Sequence, residues 1–122
     1  MKPEAELRLA KAILFLEMAD KEPQDAREPM IHLAYYAMLH AASAGLIERL
    51  GQAPKTRGSV IRQFSQQIHS TEQGRSLGRA FNHAEESRLM ADYDVETRPN
   101  ADTAIRMRDV AHEFVAYCRS PL

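Results

Sequence analysis

The sequence contains a single cysteine, Cys118, and no tryptophan. One cysteine excludes an internal disulfide framework and a zinc cluster built on cysteines. Cys118 falls on the apolar side of the last predicted helix, so we expect a buried thiol in a reducing compartment. No basic leader precedes a long apolar run, and no apolar run approaches the ~18 residues of a membrane span. These absences predict a cytoplasmic protein.

An excess of charge of one sign is also missing. Sixteen basic and seventeen acidic residues give a formal net charge of −1. Broad, non-specific nucleic-acid binding requires a basic face, so this balance argues against it. A small, local phosphate site is still compatible with the composition.

The common catalytic signatures are absent as well. The chain has no Walker-type phosphate loop, no GxGxxG, no HExxH and no GxSxG. None of its five histidines pairs with a carboxylate at metal-ligand spacing on a shared helix face. We therefore expect no cofactor, and a metal site only if tertiary folding brings ligands together.

Helical periodicity is present throughout the chain, whereas no segment shows the alternation of a β-strand. The 122 residues predict one all-α domain, residues 1–122. The pattern indicates helices over about residues 4–21, 28–50, 59–69 and 76–92, with Ser70 to Gly74 as a turn. A fifth helix, capped by Asn100 or Asp102, is expected to reach about residue 119.

The apolar positions predict which faces are buried. In the first helix, the expected stripe is Leu7, Ala10, Leu14 and Met18. The second helix is rich in small residues and should be the central packing helix, ending at Gly51 as a left-handed C-cap. The expected inner faces of the third and fifth helices are Val60, Ile61, Phe64 and Ile68, and Ala104, Met107, Ala111, Phe114, Val115 and Cys118.

Arg88 interrupts the apolar stripe of the fourth helix. At about 100° per residue, it projects within roughly 20° of Leu77, near the middle of that stripe. A guanidinium carries five donors and stays charged, so it requires a partner when it is buried. Asp92, four residues later, offers an ion pair on the same helix. Glu48, on the inner face of the second helix, is an alternative partner.

Tyr36 and His40 lie four residues apart on one edge of the second helix. Two interpretations are open for this pair. They are either a core-edge tyrosine and histidine satisfied by backbone or water, or a pair that lines a site facing the fourth helix.

Three blocks of sequence resemble HEPN-domain proteins when taken together. They are AYYAMLHAA at residues 34–42, PKTRG at 54–58 and RLMADYD at 88–94. In that order they are similar to a small stand-alone subgroup written roughly as AYYAMFHAA…PKTHKG…F…RxxADYD. The resemblance covers about residues 5–119.

The resemblance implies an up-and-down bundle of four to five helices that often forms homodimers. Many such proteins are metal-independent endoribonucleases, including toxins of toxin–antitoxin pairs, and many occur beside a small nucleotidyltransferase. Their hallmark is an arginine followed four to six residues later by a histidine, and Arg88 matches the arginine.

Two positions depart from the family pattern. Tyr93 stands where the histidine is expected, and Arg57 stands where the subgroup more often has histidine. Histidine moves protons near neutral pH, whereas tyrosine, with a reference pKa near 10, is a poor base. His40 is the other candidate base, if the second and fourth helices pack together. Whether the protein is an enzyme is therefore left open.

The candidate site comprises seven residues. Arg88, Tyr93 and His40 are the tentative catalytic group, and Tyr36, Lys55, Asp92 and Asp94 are the candidate binding group.

Three functions are consistent with these residues. The first is a homodimeric binding or regulatory subunit that contacts RNA, a nucleotide or a nucleotidyltransferase partner through a cleft around Arg88. The second is an endoribonuclease toxin that uses Arg88 with Tyr93 or His40. The third is a structural helical adaptor in which Arg88 and Asp92 form only an ion pair.

Overall fold

Five α-helices account for most of the computed structural model, which describes residues 1–93 and 98–120. They are α1 (Pro3–Lys21), α2 (Arg27–Leu50), α3 (Arg57–Ile68), α4 (Glu72–Tyr93) and α5 (Ala101–Arg119). The described ranges contain no strand, so the predicted all-α class is confirmed. The largest difference from the predicted bounds is at α4, which begins at Glu72 and includes Gly74 instead of leaving it in a turn.

Helix α2 is the centre of the bundle, and the other four helices all pack against it. Its alanines on the inner face, including Ala34, Ala37 and Ala41, are fully buried. Small side chains let neighbouring helices approach closely. Gly45 shows how close this approach is, because a Cβ built there would lie 2.9 Å from Cε1 of Phe64. The prediction of a small-residue packing helix is confirmed.

Three phenylalanines join α3, α4 and α5 beside α2. The ring centroids of Phe64 and Phe114 are 5.3 Å apart, and those of Phe81 and Phe114 are 5.1 Å apart. Edge-to-face and tilted pairs at such distances are favourable beyond the apolar area that they bury. The residues predicted to face inward from α3 and α5 are all buried, Cys118 included. This cluster fixes α4 and therefore the position of Arg88.

The predicted inner stripe of α1 is wrong. Leu7, Leu14 and Met18 are 73%, 53% and 43% exposed, and Ala10 is exposed as well. The buried face of α1 lies on the opposite side and comprises Ala5, Ala12, Leu16 and Ala19. The positions of the large apolar residues predicted the wrong face, because α1 packs on the alanine-rich α2, where small side chains permit close contact.

The helix ends follow the predicted capping chemistry. Gly51 ends α2 with a φ of 87°, the left-handed conformation that glycine adopts without strain. The Asn100 side chain accepts a hydrogen bond of 2.7 Å from the Asp102 amide, so Asn100, and not Asp102, is the cap of α5. Thr56 caps α3 by accepting a hydrogen bond of 3.2 Å from the Ser59 amide.

Among the described residues, α2 alone is long and apolar enough to cross a membrane by length and composition. In this fold, 72% of its apolar window is buried inside the bundle. A core helix of a globular domain passes the same test.

The start of α4 packs closely against the end of α3, and a substitution at Gly74 tests this contact. A Cβ at Gly74 would overlap the backbone carbonyl oxygen of Ile68. Gly74→Ala should therefore lower the free energy of unfolding by about 1–3 kcal/mol, as overpacking usually does. The measurement is urea denaturation followed by circular dichroism.

Gly58→Ala is the matched control, because a Cβ at Gly58 meets no atom within 4 Å. Alanine also has the higher helix propensity, so this variant should be no less stable than the wild-type protein. Equal stability of the two variants would contradict the packing described for Gly74.

Candidate functional site

Arg88 is buried on the inner face of α4, continuing the stripe formed by Leu77, Phe81 and Ala84. Only 7% of the residue is exposed, although it carries a full charge. Its Nη2 donates to Oε1 of Glu85 at 2.8 Å, and its Nη1 donates to Oδ2 of Asp92 at 3.1 Å. The predicted Arg88–Asp92 pair is therefore present, with Glu85 as a second partner. Glu48 lies elsewhere, where it accepts a hydrogen bond of 2.7 Å from the Lys2 amide.

The ring of Tyr35 covers the other side of the guanidinium. The Arg88 Cζ lies 5.1 Å from the ring centroid, within the range of a cation–π contact. Tyr35 itself is fully buried in α2. Arg88 is thus held between an aromatic ring and two carboxylates, which offset much of the cost of burying its charge.

These contacts change the proton affinities around Arg88. Burial, followed by the nearby Glu85 carboxylate, raises the pKa of Tyr35 far above its usual value. Burial would raise the pKa of Glu85 too, but the hydrogen bond from Arg88 and the proximity of Tyr35 outweigh that effect and lower it. The hydrogen bond to Glu85 raises the pKa of Arg88. All three groups therefore keep their usual charge at neutral pH.

Part of this buried cluster lacks hydrogen-bond partners. The Tyr35 hydroxyl, Glu85 Oε2 and Arg88 Nε are buried and have no hydrogen bond within the described residues. Tyr35 and Glu85 are close enough to affect each other's pKa, but their oxygen atoms do not meet with hydrogen-bond geometry.

Asp92 extends the cluster to the surface. Its Oδ1 lies 2.9 Å from Nε2 of His32, a residue of α2, while its Oδ2 binds Arg88. His32 and Asp92 keep 28% and 34% of their side chains exposed. A carboxylate at Nε2 favours the tautomer that carries the proton there, which leaves Nδ1 of neutral His32 as the acceptor.

Sequence reasoning missed His32. The spacing of histidines and carboxylates along a single helix does not reveal this contact, because His32 and Asp92 lie on different helices. The sequence does show that His32, Tyr36 and His40 recur every four residues along one edge of α2. This spacing could have identified His32 as a neighbour of Tyr36.

Tyr36 continues the row of contacts toward α3. Its hydroxyl accepts a hydrogen bond of 3.1 Å from Arg57 Nη2, and the Arg57 Cζ lies 5.4 Å from the ring centroid. The His32 ring is stacked with the Tyr36 ring at a centroid distance of 6.5 Å. A connected set of side chains thus runs from α3 across α2 to α4. We call it the Arg88 network and define it as Arg57, Tyr36, His32, Asp92, Arg88 and Glu85.

His40 lies next to α1. Its Nδ1 is 3.2 Å from Arg8 Nη1, and its ring stacks on Phe15 at 5.4 Å with an interplanar angle of 7°. Burial lowers the pKa of His40, and the cationic Arg8 and Lys11 lower it further. None of these contacts brings His40 to Arg88.

The other candidate residues have different positions. Lys55 is exposed in the loop before α3. Tyr93 is the last residue of α4, but its side chain is outside the described part of the structure, as is the whole of Asp94. The structure therefore brings together Tyr36, Asp92 and Arg88, and adds His32, Glu85 and Arg57.

The arrangement determines which groups can reach a ligand. The Arg88 guanidinium is buried and neutralised by carboxylates, so its direct effect is to orient Asp92. Arg57, Tyr36, His32 and Asp92 are at least partly exposed and can contact a ligand. Within the described residues, no group of three or more histidine, cysteine or acidic side chains is placed to hold a metal ion.

Removing the charge of Arg88 should destabilise the fold. Arg88→Ala leaves Glu85 and Asp92 facing each other without a cation and leaves a gap beside Tyr35. We expect a loss of about 2 kcal/mol in the free energy of unfolding. The measurement is chemical denaturation at low and high salt.

Arg98→Ala is the matched control, since Arg98 forms an exposed ion pair of 2.8 Å with Glu28. Exposed pairs contribute little because solvent screens them, so this variant should lose much less stability. A loss at Arg88 no larger than that at Arg98 would contradict a stabilising role for the buried pair.

The lowered pKa of His40 makes a second prediction. The unfolded chain, with a histidine pKa near 6.5, binds this proton more readily than the folded protein. His40 should therefore contribute a loss of stability as the pH falls below 6.5. An NMR titration of the imidazole should show an upward pKa shift in Lys11→Ala and no change in Lys21→Ala, whose lysine is at the far end of α1. An unchanged His40 pKa in Lys11→Ala would rule out the charge effect of Lys11.

Comparison with known proteins agrees with the all-α fold. No curated protein is similar enough to the chain to match it. The family model of the HEPN domain, in contrast, matches residues 5–120. Because that match spans nearly the whole sequence, this chain belongs to the HEPN domain family.

Proposed function

We propose that this protein is a HEPN-fold regulatory subunit that binds RNA, as a homodimer, through the exposed part of the Arg88 network. The observation that carries the proposal is the setting of Tyr36. Its partly exposed ring lies close to both the Arg57 guanidinium, 5.4 Å from the ring centroid, and the His32 imidazole, 6.5 Å from it.

Such a setting suits single-stranded RNA. Unpaired bases stack on aromatic rings and on guanidinium planes, and arginine also binds phosphate oxygens. Stacking on one ring contributes about 1–3 kcal/mol per base. With sixteen basic and seventeen acidic residues, the protein has no excess of cations to spread along a backbone, so we expect a short binding site and a weak dependence on salt.

In this proposal, Arg88 has a positioning role. It is 7% exposed and bound to two carboxylates. A phosphate would have to displace Glu85 or Asp92 to reach it. Arg88 therefore holds Asp92 against His32 and supports the ring of Tyr35 beneath the binding surface. This geometry favours a binding subunit over an enzyme that clamps phosphate with Arg88.

The homodimer and the partner protein come from family membership and the motif resemblance. A nucleotidyltransferase-type protein is the partner that the resemblance implies. Light scattering on the purified protein tests the dimer, and co-purification with the product of an adjacent gene tests the partner.

The His32–Asp92 contact favours a second candidate, a metal-independent endoribonuclease. Asp92 orients His32 so that Nδ1 is free to accept a proton, and Arg88 stabilises Asp92. A histidine held by a carboxylate is a competent general base for the 2′-hydroxyl of RNA. In this candidate, His32 takes the role that Tyr93 and His40 are poorly suited to fill.

RNA binding can be measured by fluorescence anisotropy with a labelled single-stranded oligonucleotide. Tyr36→Ala should weaken binding about tenfold, as the loss of one stacked base predicts. Arg57→Ala should weaken it to a similar extent. Arg62→Ala is the matched control, because Arg62 is also an exposed arginine of α3 but is not part of the network. Absence of binding by the wild-type protein would overturn the proposal.

The same samples distinguish the other functions. A binding subunit leaves RNA intact in the presence of a metal chelator. Cleavage that is lost in His32→Ala and retained in Arg62→Ala would establish the endoribonuclease instead. A structural adaptor would bind no RNA, and Arg88→Ala would change only its stability.

A further inference from the structure

A cavity of about 280 Å³ lies where α1, α2 and the start of α3 meet. It is separate from the buried side of the Arg88 network, although it shares Arg57 with that network. Five polar residues line it: Arg8, Ser43, Lys55, Thr56 and Arg57.

The charges around the cavity are all positive. Arg8 belongs to α1, Lys55 to the loop before α3 and Arg57 to the first turn of α3. No acidic side chain lines the cavity. Three cations converge here in a protein whose formal net charge is −1. Cations gathered in a concave site raise the local concentration of anions.

The start of α3 adds to this positive field. Thr56 is the N-cap, and its Oγ1 accepts from the Ser59 amide, so its own hydroxyl hydrogen is free to be donated. The unpaired amides of the first helical turn carry partial positive charge and favour an anion.

Ser43 adds a buried polar side chain to the wall of the cavity. It is 5% exposed, and Ser43 and Arg88 are the two buried polar residues within the described ranges. Arg88 has two carboxylate partners. The Ser43 side chain instead lines the cavity. Its hydroxyl can donate a hydrogen bond to a ligand there.

We propose that this cavity binds a terminal phosphate of RNA. A terminal phosphate is a monoester with a charge close to −2 at neutral pH, whereas an internal diester carries −1. Three cations without a carboxylate therefore favour the terminal group. The hydroxyls of Ser43 and Thr56 supply two further donors to its oxygens.

The position of Arg57 connects the cavity to the RNA-binding surface. Arg57 lines the cavity and also donates to the Tyr36 hydroxyl. A phosphate in the cavity would place the adjoining nucleotide beside the Tyr36 ring, where its base can stack. The identification of the ligand as RNA rests on the proposed function. The preference for a chain end follows from the three cations that line the cavity.

The test compares one short RNA in three forms: with a 5′-phosphate, with a 3′-phosphate and with hydroxyls at both ends. The wild-type protein should bind one phosphorylated form about tenfold more tightly than the dihydroxyl form. The end that gains affinity identifies the source of the phosphate. Lys55→Glu should abolish the gain, so that its phosphorylated and dihydroxyl RNAs bind with equal affinity.

Arg79→Glu is the matched control for this charge reversal, because Arg79 is exposed on α4 and does not line the cavity. It changes the net charge equally and should retain the gain. Loss of the gain in both variants would show a general charge effect and overturn the proposal. Equal affinity of the wild-type protein for all three RNAs would also overturn it, while leaving RNA binding intact.

His40 offers a readout that does not depend on RNA. Its Nδ1 lies 3.2 Å from Arg8 Nη1, so a phosphate held by Arg8 should raise the pKa of His40. Inorganic phosphate, added at constant ionic strength against chloride, should shift the imidazole titration in the wild-type protein and in Arg79→Glu. The shift should be absent in Lys55→Glu. A shift without RNA binding would support the phosphate site and count against the proposed function, and no shift would count against the site.

Discussion

The charge of Arg88 must be balanced inside the bundle, and several other features follow from that requirement. Its guanidinium needs carboxylates, and α4 supplies them at Glu85 and Asp92, three and four residues away. It also needs a flat surface beside it, which Tyr35 of α2 provides. Because one carboxylate oxygen of Asp92 binds Arg88, the other is available to contact His32 on α2. One buried charge thereby couples two helices.

The coupling depends on how closely the helices approach α2. Fully buried alanines such as Ala34 and Ala41 let the neighbouring helices approach its backbone. The phenylalanines of α3, α4 and α5 then fill the space beside it. With the position of α4 fixed in this way, Arg88 lies over Tyr35, and Asp92 comes within hydrogen-bond distance of His32. The network is thus a consequence of small-residue packing as much as of charge.

A difference in exposure separates the roles of the two arginines in the network. Arg88 is buried and bound by two carboxylates, so its effect is on the arrangement of other side chains. Arg57 is exposed, contacts the Tyr36 ring and lines the cationic cavity. The arginine that the family resemblance singles out is therefore the buried one, and the arginine that departs from the subgroup pattern is the exposed one.

The sequence by itself left the α5 cap open between Asn100 and Asp102, and the partner of Arg88 open between Asp92 and Glu48. It determined the helical class, the inner faces of α3 and α5, and the cap at Gly51. Each depends on spacing within one helix or on the local chemistry of a turn. Only the tertiary structure decided the buried face of α1 and the contacts of His32 and His40. Those features depend on which helices meet, and the size and spacing of side chains along one helix do not specify its neighbours. Close packing against alanines reversed the expected face of α1, and the approach of α2 to α4 placed His32 on Asp92.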